Sequence, residues 1–166
     1  MKFLEDYNLV AKILHWVMAL MIISLLAVGI YMHELPKEDA LKPTLYILHK
    51  ASGMVVLFLV LVRLLWRLTH KPPSLNRYSS LVKKAATISH FALYVLMFAI
   101  PLSGFLMSTA GGHAVSFYGL FEFPLLFDKN KSLGEIFSET HEILAFLMMG
   151  ILLLHVAGAI KHRLEK

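Results

Sequence analysis

Four long apolar runs separated by short polar segments organise this chain. They cover roughly 13–32, 47–68, 88–109 and 143–160. Each holds roughly 18–22 residues, enough for a helix rising about 1.5 Å per residue to cross a ~30 Å hydrocarbon core. None alternates with period two, which argues against membrane-spanning strands. The runs are apolar on every face, whereas a soluble helix would carry one stripe. The pattern predicts an all-α integral membrane four-helix bundle, with residues 1–166 forming one domain. Pro101 falls inside the third run. A kink is expected there, with neighbouring helices satisfying the freed carbonyl. The connection over 110–141 is the longest, and its Phe-rich stretch around Phe117–Phe127 is expected along the membrane surface.

Composition agrees with this picture and narrows it. Hydrophobic residues make up 58% of the chain and charged residues 16%, a balance more apolar than that of soluble domains. The net charge of +5 could suggest nucleic acid. The positive residues flank the apolar runs, however, where lipid headgroups lie, so membrane lipid is the expected partner. There is no cysteine, which excludes disulfides, thiolate metal sites, iron–sulfur clusters and covalent haem attachment. The first run is too long for a signal-peptide core, and Glu5 and Asp6 interrupt its leader, so it reads as a retained helix.

Charge also orients the bundle. Arg63, Arg67, Lys71, Arg77, Lys83 and Lys84 cluster around the second connection, with no acid among them. Lys2, Lys12, Lys161, Arg163 and Lys166 flank the ends. On the other side, Lys37, Lys42, Lys50, Lys129 and Lys131 are diluted by eight acidic residues. Both termini are therefore expected on the cytoplasmic side.

That orientation sorts the histidines by depth. His15 and His155 fall in the inner leaflet, His49 and His141 in the outer. His141 and His155 are 14 residues apart. On a helix that spacing returns to within about 40° of one face and separates the rings by about 21 Å. One face of the fourth helix thus offers two imidazoles, one per leaflet. His155 can pair with His15, and His141 with His49. Each pair has the donors for the two axial positions of one haem, and two pairs so far apart cannot share one zinc ion. A saturated bis-histidine iron suits electron transfer.

The same offset leads from His15 to Gly29, from His90 to Gly104 and from His49 to Arg63. Gly29 and Gly53 are expected to leave room for a flat macrocycle, and Arg63 to meet a propionate at the inner level. Each has a plainer reading. Glycine is common in membrane helices, Arg63 and Arg67 fit as snorkelling anchors, and Trp16, Trp66, Tyr31, Tyr46 and Tyr118 fit an aromatic belt. His90 reads as structural, or as a neighbour of a quinone or propionate. His33, His70, His113 and His162 read as solvated, and Met18, Met21, Met148 and Met149 as packing or lipid-facing.

The segments "ILHW" (13–16), "LHKASGMVVLFLVLVRLLWRL" (48–68), "SHFALYVLMFAIPLSGFLMSTAGG" (89–112), "THE" (140–142) and "LLHVAGAIKH" (153–162) together resemble the bacterial cytochrome b561 family. That family is a di-haem group of four-helix membrane proteins, and the resemblance covers nearly the whole chain. It implies two haem b groups ligated by His15, His49, His141 and His155, location in the bacterial inner membrane, and electron exchange with a quinone such as ubiquinone. One member type oxidises superoxide and reduces ubiquinone. Another branch accompanies periplasmic lipocalin-like proteins that bind polyprenyl compounds, and "STAGG" and "VSFYGLFEFP" resemble it. Haem-bearing anchor subunits of formate dehydrogenases and hydrogenases are further relatives. The expectation is transmembrane electron transfer coupled to the quinone pool, with a superoxide:ubiquinone oxidoreductase as the enzymatic form. The alternatives are a relay or anchor subunit for a partner redox protein, and a haem-free proton or metal transporter.

Overall fold

The computed structural model describes residues 8–70 and 79–164, apart from the side chains of His162 and Arg163. Lys2, Glu5, Asp6, Lys71, Pro72, Pro73, Arg77 and Lys166 lie outside the described residues, as do those two side chains. Four helices dominate: α1 (Leu9–Glu34), α2 (Lys42–Thr69), α3 (Ser80–Ala110) and α4 (Lys131–Leu164). All four are long and apolar enough to cross a membrane.

Local chemistry explains where the helices start. Asn8 caps α1, its side-chain oxygen accepting from the Ala11 amide at 2.8 Å. The same oxygen accepts from Trp66 Nε1 at 3.1 Å and so ties the start of α1 to the end of α2. A proline stands in the first turn of α2, where its missing N–H costs nothing. Ser79 caps α3. The Asn130 amide donates to the Ala110 carbonyl at 2.9 Å, and the Asn130 side chain accepts from Leu133, so α4 begins beside the end of α3. The two helices then pack closely. Against α1 and α2, by contrast, the backbone of α4 makes little direct contact.

Each helix runs past its apolar block. The largest extension is in α4, which starts at Lys131 rather than near Ile143. Residues 131–142 are polar enough to hide from a hydropathy reading, yet they continue the helix. His141 is therefore not an end residue and has almost three further turns outside it, by about 3.6 residues per turn. The shortened third connection is not irregular either. Val115–Phe117 (β1) and Phe121–Phe123 (β2) form an antiparallel hairpin with Phe117 opposite Phe121. Tyr118 and Gly119 make its turn at positive φ, 52° and 78°. Val115 is buried where β1 lies against α2.

The interior is thin, as a four-helix membrane bundle requires. Met18, Val56, Val60, Leu96 and Met148 are buried, whereas Leu20, Phe58, Leu65, Phe91 and Leu154 face outward. Met148 is seven residues from both His141 and His155, so it lies on their face of α4, midway between them.

Candidate haem-binding site

Two histidine pairs meet across helices that otherwise keep apart. The His15 and His155 rings, from α1 and α4, have centroids 6.4 Å apart. The His49 and His141 rings, from α2 and α4, have centroids 6.3 Å apart. The planes within each pair are strongly crossed, at 63° and 76°. Among the described residues, no group of three or more His, Asp or Glu is arranged to hold a bare metal ion.

The outer pair is seated by two glycines. A Cβ on Gly104 would come within 2.9 Å of His141 Cε1, closer than real contacts allow. A Cβ on Gly29 would reach His49 Cε1 at 3.3 Å. Gly29 therefore makes room for the His49 ring, at the level where its spacing from His15 had suggested room for a macrocycle. Gly53 and Gly158 face open space.

Hydrogen bonding differs between the two outer rings. His141 Nδ1 lies 2.9 Å from the Ile100 carbonyl and 3.3 Å from Ser103 Oγ, which itself donates to Ile100. His49 Nδ1 is buried and has no partner. The helix runs on through Pro101, and the carbonyl that α4 reaches is Ile100's rather than the one the proline leaves without an amide.

Positive charge gathers at the inner pair. The Arg63 guanidinium lies 3.3 Å from His15 Nδ1, and its Nε donates to Tyr94 Oη at 3.1 Å. Arg67 stacks over the same tyrosine ring. Because a guanidinium only donates, His15 Nδ1 accepts here, and the ring proton sits on Nε2. Offering Nε2 to a metal requires Arg63 to let go, which frees a cation for a carboxylate. Among the described residues, neither Arg63, Arg67 nor Lys50 has a carboxylate within ion-pair distance.

His90, read from the sequence as structural or as a neighbour of a quinone or propionate, stands close to this site. Its ring centroid is 5.6 Å from that of His155. Its depth near His15 was legible, but its facing was not. Among the described side chains, the other histidines are peripheral: His33 and His113 are exposed, and exposed His70 stacks on Trp66.

A family model described as prokaryotic cytochrome b561 matches residues 6–166. The chain belongs to the prokaryotic cytochrome b561 family. Cytochrome b561 homolog 2 of Escherichia coli is 32% identical over 159 residues, covering 95% of this chain and 85% of the relative. Cytochrome b561 homolog 1 of the same organism is 25% identical, over 90% of this chain and 85% of its own length. A probable superoxide oxidase of Yersinia pestis is 25% identical, over 73% of this chain and 69% of its own length. Cytochrome b561 proteins carry out membrane electron transfer and bind haem b, and this chain is accordingly a multi-pass bacterial membrane cytochrome.

Proposed function

We propose that the protein carries electrons between the two faces of the bacterial inner membrane through two b haems, in exchange with the quinone pool. One observation carries this reading: the spacing of the histidine pairs. Two imidazoles that each approach one metal at about 2.0 Å, with each centroid about 1.2 Å behind its nitrogen, would stand about 6.4 Å apart. The centroid distances of 6.3 and 6.4 Å match that separation. The wide spacing of α4 from α1 and α2 leaves space for a flat group between the rings of each pair.

When bound, a b haem supplies one-electron chemistry. The protein's own contribution is orientation, dryness and charge. The Ile100 carbonyl holds the His141 ring, and Met148, Met18 and Val60 keep the layer between the pairs apolar. Arg63 and Arg67 bring positive charge to the inner pair and are suited to propionates. We further infer that both termini and the second connection face the cytoplasm, from the Lys and Arg excess there.

The test is a haem count on the purified protein and on His141→Ala and His155→Ala. Two haems in the wild type, and one in each variant, are expected. Loss of neither haem would refute the pairing. Substrate is decided separately. Superoxide oxidation by the isolated protein, followed as ubiquinone reduction, would match the name of the Yersinia pestis relative, a probable superoxide oxidase. Activity that needs an added redox protein, a periplasmic lipocalin-like one included, would make this chain a relay.

A further inference from the structure

Ser103 is a polar side chain at a depth that favours apolar ones. It lies within α3 and is only 5% exposed. A serine inside a membrane helix ordinarily bonds back to its own helix, and this one does, donating to the Ile100 carbonyl at 2.9 Å. That carbonyl is also the one that His141 Nδ1 reaches from α4, again at 2.9 Å. Ser103 Oγ is itself 3.3 Å from the same nitrogen. The next residue, Gly104, leaves the ring the space that a Cβ would take. Residues 100–104 thus build a seat of one carbonyl, one hydroxyl and one missing side chain, all turned on a single imidazole.

Other rings of the two pairs are placed differently. His49 Nδ1 is buried without a partner, and His15 Nδ1 faces the Arg63 guanidinium. A histidine that gives Nε2 to a metal carries its proton on Nδ1, and an acceptor for that proton makes the ring a stronger electron donor. A stronger donor favours oxidised iron. Ser103 acts on this balance twice, with opposite signs. Its one hydroxyl proton goes to the Ile100 carbonyl, so its lone pairs face His141 and offer a second acceptor. At 3.3 Å that contact is long for an N–H···O bond and correspondingly weak. Its donation to the carbonyl, at 2.9 Å, is of ordinary length and draws electron density from the oxygen that is the first acceptor. The shorter contact decides the sign: Ser103 restrains the pull on the Nδ1 proton.

We propose that Ser103 is a positioning residue for the outer haem. It acts through the Ile100 carbonyl and His141, and keeps the potential of that haem above the value the carbonyl alone would give. It works on the ligand and is not itself one. This inference rests on the two-haem reading above and adds to it a side chain that tunes one haem without the other.

Redox titration of the full chain in lipid nanodiscs, followed by visible spectra, tests it. His155→Ala, which is expected to keep only the outer haem, identifies the outer midpoint. Ser103→Ala is expected to retain two haems and to shift the outer reduction equilibrium about threefold toward the oxidised form, the effect of part of one hydrogen bond. The inner midpoint is expected to stay where it is. Ser103→Thr keeps a hydroxyl that can bond the same turn of helix, and is expected to restore the wild-type value. The low-spin ferric signal of the outer haem in electron paramagnetic resonance is expected to move with the potential. Should Ser103→Ala lose haem, Ser103→Cys, which fills the site but bonds weakly, is expected to show the same shift. A serine that only fills space would alter haem occupancy or thermal stability and leave both potentials in place, and that result would overturn the proposal. An equal shift of both haems, a shift toward the reduced form, or no rescue by Ser103→Thr would overturn it as well. A wild type without two haems is a different failure, since it removes the reading beneath.

Discussion

The Nδ1 atom of His141 lies 2.9 Å from the carbonyl oxygen of Ile100. A carbonyl can only accept, so the nitrogen donates, and the lone pair of this ring is on Nε2. A helix neighbouring α4 thus decides which atom of His141 is available to a metal. Such outer contacts are worth about 10- to 100-fold in metal affinity.

The glycines around the outer pair give a graded prediction. Gly104→Ala puts a methyl 2.9 Å from the His141 ring, so it must push the ring off its carbonyl. It is expected to cost about 1–3 kcal/mol of packing and to lower occupancy of one haem. Gly29→Ala, at 3.3 Å from His49, is expected to be milder. Gly53→Ala meets nothing within 4 Å and is expected to leave the haem count unchanged. Pyridine haemochrome assays on the three variants check the order. Equal loss in all three would remove the steric argument.

Arg63 supplies a second prediction. A fixed positive charge favours the reduced, less positive state of a nearby haem. Arg63→Leu is therefore expected to lower one of two midpoint potentials, and Arg63→Lys to lower it less. One charge roughly 8 Å away in an effective dielectric of about 20 is worth on the order of 2 kcal/mol, or about 90 mV. A redox titration followed by visible spectra measures this. An unchanged pair of potentials in Arg63→Leu would place the guanidinium away from any redox centre.

Lys50 predicts stability rather than redox chemistry. Its Nζ donates to Ser108 Oγ at 2.9 Å, and Ser108 in turn donates to the His113 carbonyl. The chain tying α2 to the turn after α3 thus passes through one half-buried amine. Lys50→Met is expected to destabilise the protein by about 1 kcal/mol, read as a lower thermal midpoint in detergent.

Much of this was legible in the sequence, and the parts that were not have physical reasons. The four spans follow from long apolar runs, because a bilayer imposes a length that a hydropathy pattern reveals. The approach of His15 to His155 and of His49 to His141 follows from depth and from the 14-residue return on α4. The hairpin was missed because two three-residue strands carry too little pattern to stand out among six phenylalanines between Phe105 and Phe137. The outer turns of α4 were missed because Glu135, Ser138 and Glu139 look like a loop to a hydropathy scan. The seating of His49 on Gly29 and the nearness of His90 to His155 depend on helix rotation. Spacing within one helix does not fix rotation relative to its neighbours.

Orientation can be checked cleanly because the chain has no native thiol to interfere. Lys84→Cys and Lys131→Cys place single, exposed thiols at the starts of α3 and α4. An impermeant maleimide applied to spheroplasts is expected to label the second and not the first. The reverse pattern would invert the bundle.

The buried side chain of Met148 stands midway between the two histidines of α4. A proton wire needs an unbroken file of water or titratable groups, and a buried thioether is neither. Under the proposed function, electrons that tunnel past it would travel without a compensating ion. Each crossing is then electrogenic, with or against the resting field by about 2.3 kcal/mol per 100 mV. The rate should therefore respond to membrane voltage even though no part of the protein moves.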